Sequence, residues 1–287
     1  MHIVIVGCGY LGLRAAKAWL AEGHSVTAMT RDPQRHPDWK QLGLRMIAGD
    51  VLDPASLCNL PKADLCLYAV GYDRNSIADK RTVYVDGLRH VLSEIQPRIP
   101  RLIFISSTSV YGQQAGEIVD EASECAPQNE AGQICRDAEQ IVRKIYPQQD
   151  SQTPAMILRL AGIYGPGRLI ARIEQLQRGT PLTGNPDAWL NLIHVDDAVQ
   201  AVTRLVRSPF PAPLYLLSDA MPLVRRDFYN AVARAIGAPS PVFDPSGDIA
   251  LNKRCDSRRI RRELDLMLKY PDAISALPKV LSHQAGS

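Results

Sequence analysis

A glycine-rich segment near the start of the chain has the residue types and the spacing of a phosphate-binding loop. An apolar run over residues 3–6 leads directly into Gly-Cys-Gly-Tyr-Leu-Gly at residues 7–12. Gly7 permits a tight turn after a strand, Gly9 lets a pyrophosphate approach the backbone, and Gly12 lets the next helix pack close to the sheet. The N–H groups at the start of that helix can bind phosphate oxygens. The pattern predicts a dinucleotide site with the loop residues Gly7, Gly9, Tyr10, Leu11 and Gly12.

The end of the second predicted strand indicates which dinucleotide binds. In such sites an acid about 20 residues beyond the glycines accepts the ribose 2′-hydroxyl of NAD. Thr30 stands in that place and Arg31 follows it. This pair lacks the carboxylate and can neutralise a 2′-phosphate, which favours NADP, with NAD as the alternative. In the other interpretation Arg31 is a solvated loop charge and Asp32 takes the role of the acid.

Strand-like and helix-like segments alternate through the first part of the chain. The predicted strands after the first are residues 25–30, 44–47, 65–70, 102–105 and 155–160, and the predicted helices are 13–21, 54–60, 77–95 and 130–146. Near-continuous apolar strands between helices indicate a parallel sheet covered on both faces, which is an α/β, Rossmann-type doubly wound fold. Further cofactor contacts are expected where the third and fourth strands end, at Asp50, Val51, Ala69, Val70 and Gly71.

The pattern of predicted strands and helices changes after Gly165-Pro166-Gly167. Helices over 168–178, 196–206 and 225–236 alternate with short strands and proline-rich turns. We therefore expect an NAD(P)-binding domain over residues 1–165 and a small α/β substrate lobe over 166–287, with segments near 188–206 returning to the first domain.

Composition excludes several classes of protein. The 287 residues are 46% hydrophobic, and the net charge of +3 is spread along the chain, so neither nucleic acid nor a membrane surface is an expected partner. No apolar run approaches membrane length, and a cytoplasmic location is expected. The six cysteines have no metal-binding spacing, and most are expected to be reduced and buried. The expected partner is a small-molecule substrate, and a homodimer is an open alternative to a monomer.

Four segments of the chain carry recognisable motifs: residues 105–112, 158–167, 191–198 and 217–229. Together they resemble the extended short-chain dehydrogenase/reductase superfamily, and within it the NAD-dependent epimerase/dehydratase group. Residues 105–112, Ile-Ser-Ser-Thr-Ser-Val-Tyr-Gly, are similar to the Ser-Ser-x-x-Val-Tyr-Gly that follows the family's fourth strand. Residues 158–167 are similar to its Leu-Arg-x-x-x-Val-Tyr-Gly-Pro-Gly, and 191–198 to its Ile-His-Val-Asp-Asp turn. Residues 217–229 are similar to its late strand and helix. The likeness covers nearly the whole chain in the expected order.

The resemblance implies a set of catalytic residues that this chain keeps only in part. Ser107 would support the reacting oxygen, and a Tyr with a Lys four residues later would act as acid and base. Ala131 and Cys135 stand at those two positions, and none of the ten tyrosines has a Lys four residues on. The family's helix Asn falls on Tyr84.

Tyr111 and Tyr84 are the candidate replacements for the missing acid. In the alternative interpretation, Tyr111 is a packing residue and Tyr84 fills the space left by Asn. The chain thus resembles atypical members of the family that bind the cofactor and lack the Tyr-x-x-x-Lys pair.

Three other features of the sequence bear less directly on chemistry. The His194–Asp197 segment is interpreted as a helix start, with Asp196 or Asp197 as the cap and His194 bonded to the backbone, rather than as a metal site. Leu190 stands where sugar-nucleotide members often carry an Arg, which disfavours a UDP- or dTDP-sugar substrate. Lys253 and Arg254 either bind an anionic substrate or form a solvated run of charge.

Two classes of function remain. One is an NADP-dependent reductase, epimerase or dehydratase with a rearranged proton donor and a small or sugar-like substrate. The other is a cofactor-binding regulatory or sensor protein without hydride chemistry. Turnover of the nicotinamide separates the two classes, whereas binding of the cofactor does not.

Overall fold

The computed structural model describes residues 1–35, 37–73, 76–148, 153–209, 211–244 and 251–282. Two compact units interleave along the chain. The first unit comprises Met1–Ser107, Glu130–Arg159 and Val199–Tyr215, and the second comprises Thr108–Asn129, Leu160–Ala198 and Leu216–Ser287. The division into domains after residue 165 stays a prediction.

The strands of the described residues are numbered in chain order. They are β1 His2–Val6, β2 Ser25–Thr30, β3 Arg45–Ala48, β4 Leu65–Tyr68, β5 Leu102–Ser107, β6 Glu117–Val119, β7 Ala155–Leu160, β8 Gly162–Tyr164, β9 Leu182–Thr183, β10 Trp189–Leu190, β11 Leu192–His194, β12 Leu214–Leu217, β13 Leu223–Val224, β14 Phe243–Asp244 and β15 Lys253–Cys255. The bounds predicted for β2 and β7 are confirmed.

The helices are numbered in the same way. They are α1 Tyr10–Ala21, α2 Pro37–Gln41, α3 Pro54–Leu57, α4 Gly87–Ile95, α5 Glu130–Ile145, α6 Ile170–Gln177, α7 Val195–Arg207, α8 Arg225–Ala235, α9 Arg258–Glu263 and α10 Ala273–Ser282. Short 3₁₀ turns cover Pro33–Arg35 and Thr108–Val110, and a π-helical turn covers Thr82–Asp86.

Seven strands form the central sheet in the order β12-β7-β5-β4-β1-β2-β3. The pairings of β1 with β2 and β4, of β2 with β3, and of β4 with β5 are all parallel. This confirms the predicted doubly wound α/β fold, whose chain order reverses between β1 and β4. Ligands of such sheets bind at the carboxyl ends of the strands beside that point.

The core of the first unit lies between the sheet and two of its helices. Val91, Leu92 and Ile95 of α4 and Val142 of α5 are inaccessible to solvent and pack in one apolar cluster with the strands. All four residues of β4 are buried, as expected for a strand covered on both faces. The helices thereby fix the sheet, and the sheet fixes the loops at its carboxyl edge.

The helix predicted over residues 77–95 begins later than the apolar pattern indicated. Helical structure starts at Lys80, after Asp79 accepts a hydrogen bond from the Thr82 N–H at 2.7 Å. Asp79 is therefore the N-cap, since its carboxylate satisfies an amide of the first turn. Ile77, the first residue of the predicted helix, lies before this cap and is fully exposed.

The second unit is built from helices and two-stranded sheets. β8 pairs with β11 and β6 with β15, both parallel. Its core includes Phe228 and Val232 of α8 and Leu277 and Val280 of α10.

Two predictions about composition can be compared with the structure. Of the six cysteines, Cys8 and Cys66 are buried, Cys58 is exposed and the others are partly exposed, so the expectation that most are buried is wrong. All six are free thiols. In the described part of the chain, none of the helices has the length and apolar character needed to cross a membrane.

Candidate functional site

A cavity of about 430 Å³ lies in the first unit at the carboxyl ends of β1, β2, β3 and β4. Eight residues that the sequence predicted for the cofactor line it: Gly7, Gly9, Thr30, Arg31, Asp50, Val51, Val70 and Gly71. The other four predicted residues, Tyr10, Leu11, Gly12 and Ala69, are not among its described lining residues. The cavity thus lies at the switch point of the sheet, where its topology predicts a ligand.

The three glycines of the loop have different structural roles. Gly7 has a φ of +92°, and a Cβ there would lie 2.5 Å from the Ala69 carbonyl carbon. A Cβ on Gly12 would lie 2.5 Å from the Gly7 oxygen, so Gly12 is needed for helix α1 to pack against the loop. A Cβ on Gly9 would meet no heavy atom within 4 Å. Gly9 therefore leaves open space beside the cavity, which fits the close approach of a pyrophosphate.

The first turn of α1 is suited to an anion. Gly9 is the N-cap residue, it provides no side-chain cap, and the first turn contains no acidic residue. The first N–H groups of a helix have no partner within the helix, and they bear partial positive charge. These groups and the open space at Gly9 fit the diphosphate of a dinucleotide.

Arg31 and Asp32 at the end of β2 have different partners. Arg31 lines the cavity, and its Nη2 lies 3.1 Å from Oδ2 of Asp73, which also lines it. Asp32 Oδ1 accepts a hydrogen bond from the Gln34 N–H at 3.0 Å and so caps the following turn. The geometry brings Arg31, rather than Asp32, to the cavity.

The segment after β3 forms the opposite wall. Asp50 Oδ1 accepts a hydrogen bond from the Leu52 N–H at 2.9 Å, which holds the turn. Val51 is buried, and its carbonyl oxygen lies 3.1 Å from Nδ1 of His90. Asp50 therefore shapes the wall through its own turn, while Val51 gives it an apolar surface.

Ser107 and Tyr84 both lie in the first unit. Ser107 is half-buried at the carboxyl end of β5. Tyr84 lies in the π-helical turn before α4, and its Oη accepts a hydrogen bond from the Tyr72 N–H at 2.9 Å. Burial raises the pKa of the Tyr84 phenol, the Tyr72 N–H lowers it, and the nearby Cys135 thiol raises it. Tyr84 and Cys135, which the resemblance places at the family's Asn and Lys positions, thus lie close enough to interact.

Tyr111 belongs to the second unit and has the geometry of a packing residue. It is fully buried, and its hydroxyl donates to the Asp120 carbonyl oxygen at 2.6 Å. Its own carbonyl oxygen accepts from Nζ of Lys253 at 3.0 Å. These contacts fit the alternative interpretation of Tyr111 better than a role as proton donor.

Sequence reasoning missed a buried ionic cluster in the first unit. Glu139 of α5 accepts from Arg159 of β7 through both carboxylate oxygens, at 2.8 and 2.7 Å, and from the Ser106 hydroxyl at 2.7 Å. All three residues are less than a tenth exposed. Arg159 is the arginine of the Leu-Arg motif, and Glu139 lies four residues after Cys135. The cluster ties α5 to the strand next to β5, and β5 carries Ser107.

The helix start at His194 differs in detail from the prediction. His194 Nδ1 accepts from the Asp196 N–H at 3.1 Å, so His194 itself satisfies this amide of α7. Asp197 instead accepts from the N–H groups of Lys269 and Tyr270, at 2.7 and 2.9 Å. Among the described residues, no group of three or more His, Cys, Asp or Glu side chains is placed to hold a metal ion.

Asp219 is a buried carboxyl in the second unit. It is 7% exposed, and its Oδ2 has no hydrogen-bond partner among the described residues. Burial, and then the nearby Asp272, raise the pKa of Asp219 to about 8, against a smaller opposing effect of Arg261.

Lys253 and Arg254 do not form a solvated run of charge. Lys253 is only 4% exposed, and burial lowers the pKa of its amine. The Arg254 guanidinium lies over the Trp189 ring, 5.2 Å from its centroid, and Nε donates to the Gly116 carbonyl oxygen. The solvated interpretation is therefore wrong for Lys253, while binding of an anion stays a prediction.

The chain is similar to known proteins in both sequence and structure. Residues 3–213 match the model of the NAD dependent epimerase/dehydratase family. Protein YeeZ of Escherichia coli K12 is 30% identical over 280 residues, which cover 95% of this chain and 97% of YeeZ. Ceramide reductase of Caulobacter vibrioides is 28% identical over 234 residues, 79% of this chain and 66% of that protein. A provisionally assigned NAD-dependent epimerase/dehydratase from Methylobacillus flagellatus superposes with a TM-score of 0.80 at 30% identity, covering 99% of this chain and 98% of that one.

Proposed function

The chain belongs to the NAD-dependent epimerase/dehydratase family, and from this membership we propose that it binds NADP(H) in the cavity of the first unit and reduces a carbonyl group of a small or sugar-like substrate. The observation that carries the proposal is the cavity itself. It combines open space at Gly9, an uncapped helix start and Arg31 in one lining.

Different residues of the cavity bind different parts of the cofactor. The Gly9 backbone and the first turn of α1 bind the diphosphate, and Arg31 binds the 2′-phosphate. Val51 and Val70 offer apolar surface to the adenine. When bound, the nicotinamide supplies the hydride for reduction.

Ser107 and Tyr84 are the proposed donors to the substrate oxygen. Both hydroxyls can donate to an oxygen on which negative charge develops, which is the task of an oxyanion site. The Tyr84 oxygen is occupied as an acceptor by the Tyr72 N–H, and this contact leaves its own proton available for donation. The pKa of Tyr84 is raised, so the phenol is neutral at neutral pH and its hydroxyl can donate a hydrogen bond to a carbonyl oxygen.

The binding part of the proposal is tested by calorimetric titration with NADPH and NADH. We expect the wild type to bind NADPH more tightly, and Arg31→Ala to weaken NADPH by about tenfold or more, since a charge-assisted phosphate contact contributes about 1.5–3 kcal/mol. NADH should be little affected. Arg89→Ala is the matched control, because Arg89 is also an exposed arginine paired with an aspartate, Asp86, and does not line the cavity. Equal affinities of the wild type for the two dinucleotides, or unchanged NADPH affinity in Arg31→Ala, would reject NADP preference.

The catalytic part is tested by a screen of carbonyl compounds for oxidation of NADPH. Ser107→Ala and Tyr84→Phe should each lower kcat, by about 10²–10³ for a donor to the developing oxyanion. Tyr111→Phe is the comparison variant and should affect folding stability more than kcat. Full turnover by Ser107→Ala would reject the mechanism.

The second candidate is a non-catalytic NADP-binding regulatory or sensor protein. The observation that favours it is the presence of Ala131 and Cys135 where the family has its acid and its lysine. Tight binding of NADPH by the wild type without turnover of any compound in the screen would support this candidate over the reductase.

A further inference from the structure

We infer that Asp73 is a cofactor-selecting residue, which holds Arg31 and opposes the 2′-phosphate of NADP. The inference rests on the proposed function, because it concerns the same cavity. The Asp73 carboxylate lies in the segment after β4. It weakens the preference for NADP that Thr30 and Arg31 set.

The two side chains form an ion pair across the cavity lining. Arg31 Nη2 lies 3.1 Å from Asp73 Oδ2, and the side chains are 62% and 44% exposed. The residues are 42 positions apart in sequence and come from the ends of different strands. The end of the cavity that would hold the adenosine ribose therefore has a guanidinium already paired with a carboxylate.

Hydrogen bonds hold the backbone at Tyr72 and Asp73. The preceding Tyr72 donates its N–H to Tyr84 Oη at 2.9 Å and its hydroxyl to the Ala78 carbonyl oxygen at 3.1 Å. The Asp73 carbonyl oxygen accepts from the Ser76 N–H at 2.9 Å. These contacts hold the backbone of Asp73 at the edge of the cavity, where its carboxylate is within ion-pair distance of Arg31.

A 2′-phosphate and the Asp73 carboxylate are competing anions for Arg31. The phosphate carries close to two negative charges and Asp73 carries one, so the two repel each other. A 2′-hydroxyl is uncharged, so Asp73 does not repel it and it does not compete with Asp73 for Arg31. Asp73 therefore weakens binding of NADP and leaves binding of NAD largely unchanged, which narrows the ratio of the two affinities.

The test is calorimetric titration of Asp73→Asn with NADPH and NADH. We expect NADPH to bind about fivefold more tightly than to the wild type, which is the upper end of exposed ion-pair effects, and NADH to change by less than about twofold. High salt should shrink the gain, since exposed charges are screened. In the Arg31→Ala background the same substitution should give a smaller gain, because the competition for Arg31 is gone.

Asp32→Asn is the matched control. It removes the same charge from the residue next to Arg31, and the amide oxygen can still cap Gln34. We expect its effect on NADPH binding to be smaller than that of Asp73→Asn. Equal gains in the two variants, equal gains with and without Arg31, or weaker NADPH binding in Asp73→Asn would overturn the inference.

The two proposals fail in different ways. If the wild type shows no preference for NADPH but Asp73→Asn gains one, the NADP assignment of the wild type fails and the inference stands. If the wild type prefers NADPH and Asp73→Asn changes nothing, the inference fails alone. If the wild type binds neither NADPH nor NADH, the proposed function and the inference both fail.

Discussion

Substitution of Gly9 tests whether the glycine loop is the phosphate site, because the structure separates its effect on binding from its effect on folding. A Cβ at this position meets no heavy atom within 4 Å. The remaining cost to the fold is that Val is a poorer N-cap residue than Gly, which we estimate at about 1 kcal/mol or less. Gly9→Val should therefore stay folded.

The effect on binding is larger, since the valine side chain occupies the space beside the cavity. Loss of hydrogen bonds between backbone N–H groups and a charged phosphate costs about 2–3 kcal/mol, which corresponds to about a 30- to 150-fold weaker affinity. Gly9→Ala places a single methyl group there and should give a smaller loss. Calorimetry with NADPH measures both losses, and circular dichroism with urea unfolding verifies the fold.

Gly7→Ala supplies the contrast. Its Cβ would lie 2.5 Å from backbone atoms of Ala69 and Val70 at a φ of +92°, so this variant should lose folding stability. If Gly9→Val is folded and binds NADPH with unchanged affinity, the loop is not the phosphate site and the argument from the open space is refuted.

Two further predictions concern buried charge. Arg159→Met should lower the free energy of unfolding by about 3–5 kcal/mol, because it leaves the Glu139 carboxylate buried without its main partner. Ser106→Ala removes a single hydrogen bond to the same carboxylate and should lower it by only about 1 kcal/mol. Equal losses for the two variants in urea denaturation would contradict this. The pKa of Asp219 is about 8 in the folded protein and 3.8 in the unfolded chain. Between about pH 4 and pH 8 the folded state therefore binds an extra proton, and the stability of the protein falls as the pH rises. Asp219→Asn should therefore raise the melting temperature more at pH 9 than at pH 5, and a pH-independent difference would show that Asp219 does not titrate in this way.

The glycine loop and the sheet could be predicted because their signals are local in sequence. The apolar run before Gly7, the bounds of β2 and β7 and the alternation of strand and helix are properties of short windows. The start of the helix before α4 was mistaken for the same reason: the pattern included the apolar Ile77, whereas a single carboxylate, Asp79, decides where the helix begins.

The contacts that adjust the site could not be predicted in this way. Arg31 and Asp73 are 42 residues apart, and Glu139 and Arg159 are 20 apart, so no periodic pattern joins them. The family alignment placed Tyr84 at the position of an Asn, but the bond from the Tyr72 N–H depends on the path of the segment after β4. Such pairs follow from the tertiary structure rather than from the local sequence.

The resemblance places Cys135 where the family carries its lysine, and this bears on the direction of the proposed reaction. In the family, the ammonium of that lysine lowers the pKa of the catalytic phenol, which can then take up a proton as well as give one. Here a thiol interacts with Tyr84 instead, and burial raises the pKa of the phenol more than the hydrogen bond from the Tyr72 N–H lowers it. A phenol with a raised pKa is a poor base at neutral pH, yet it can still donate. Reduction of a carbonyl needs a proton donor, whereas epimerisation and dehydration also need a base. A neutral phenol that can donate but does not take up a proton therefore fits the proposed reductase better than a reaction that needs Tyr84 as its base.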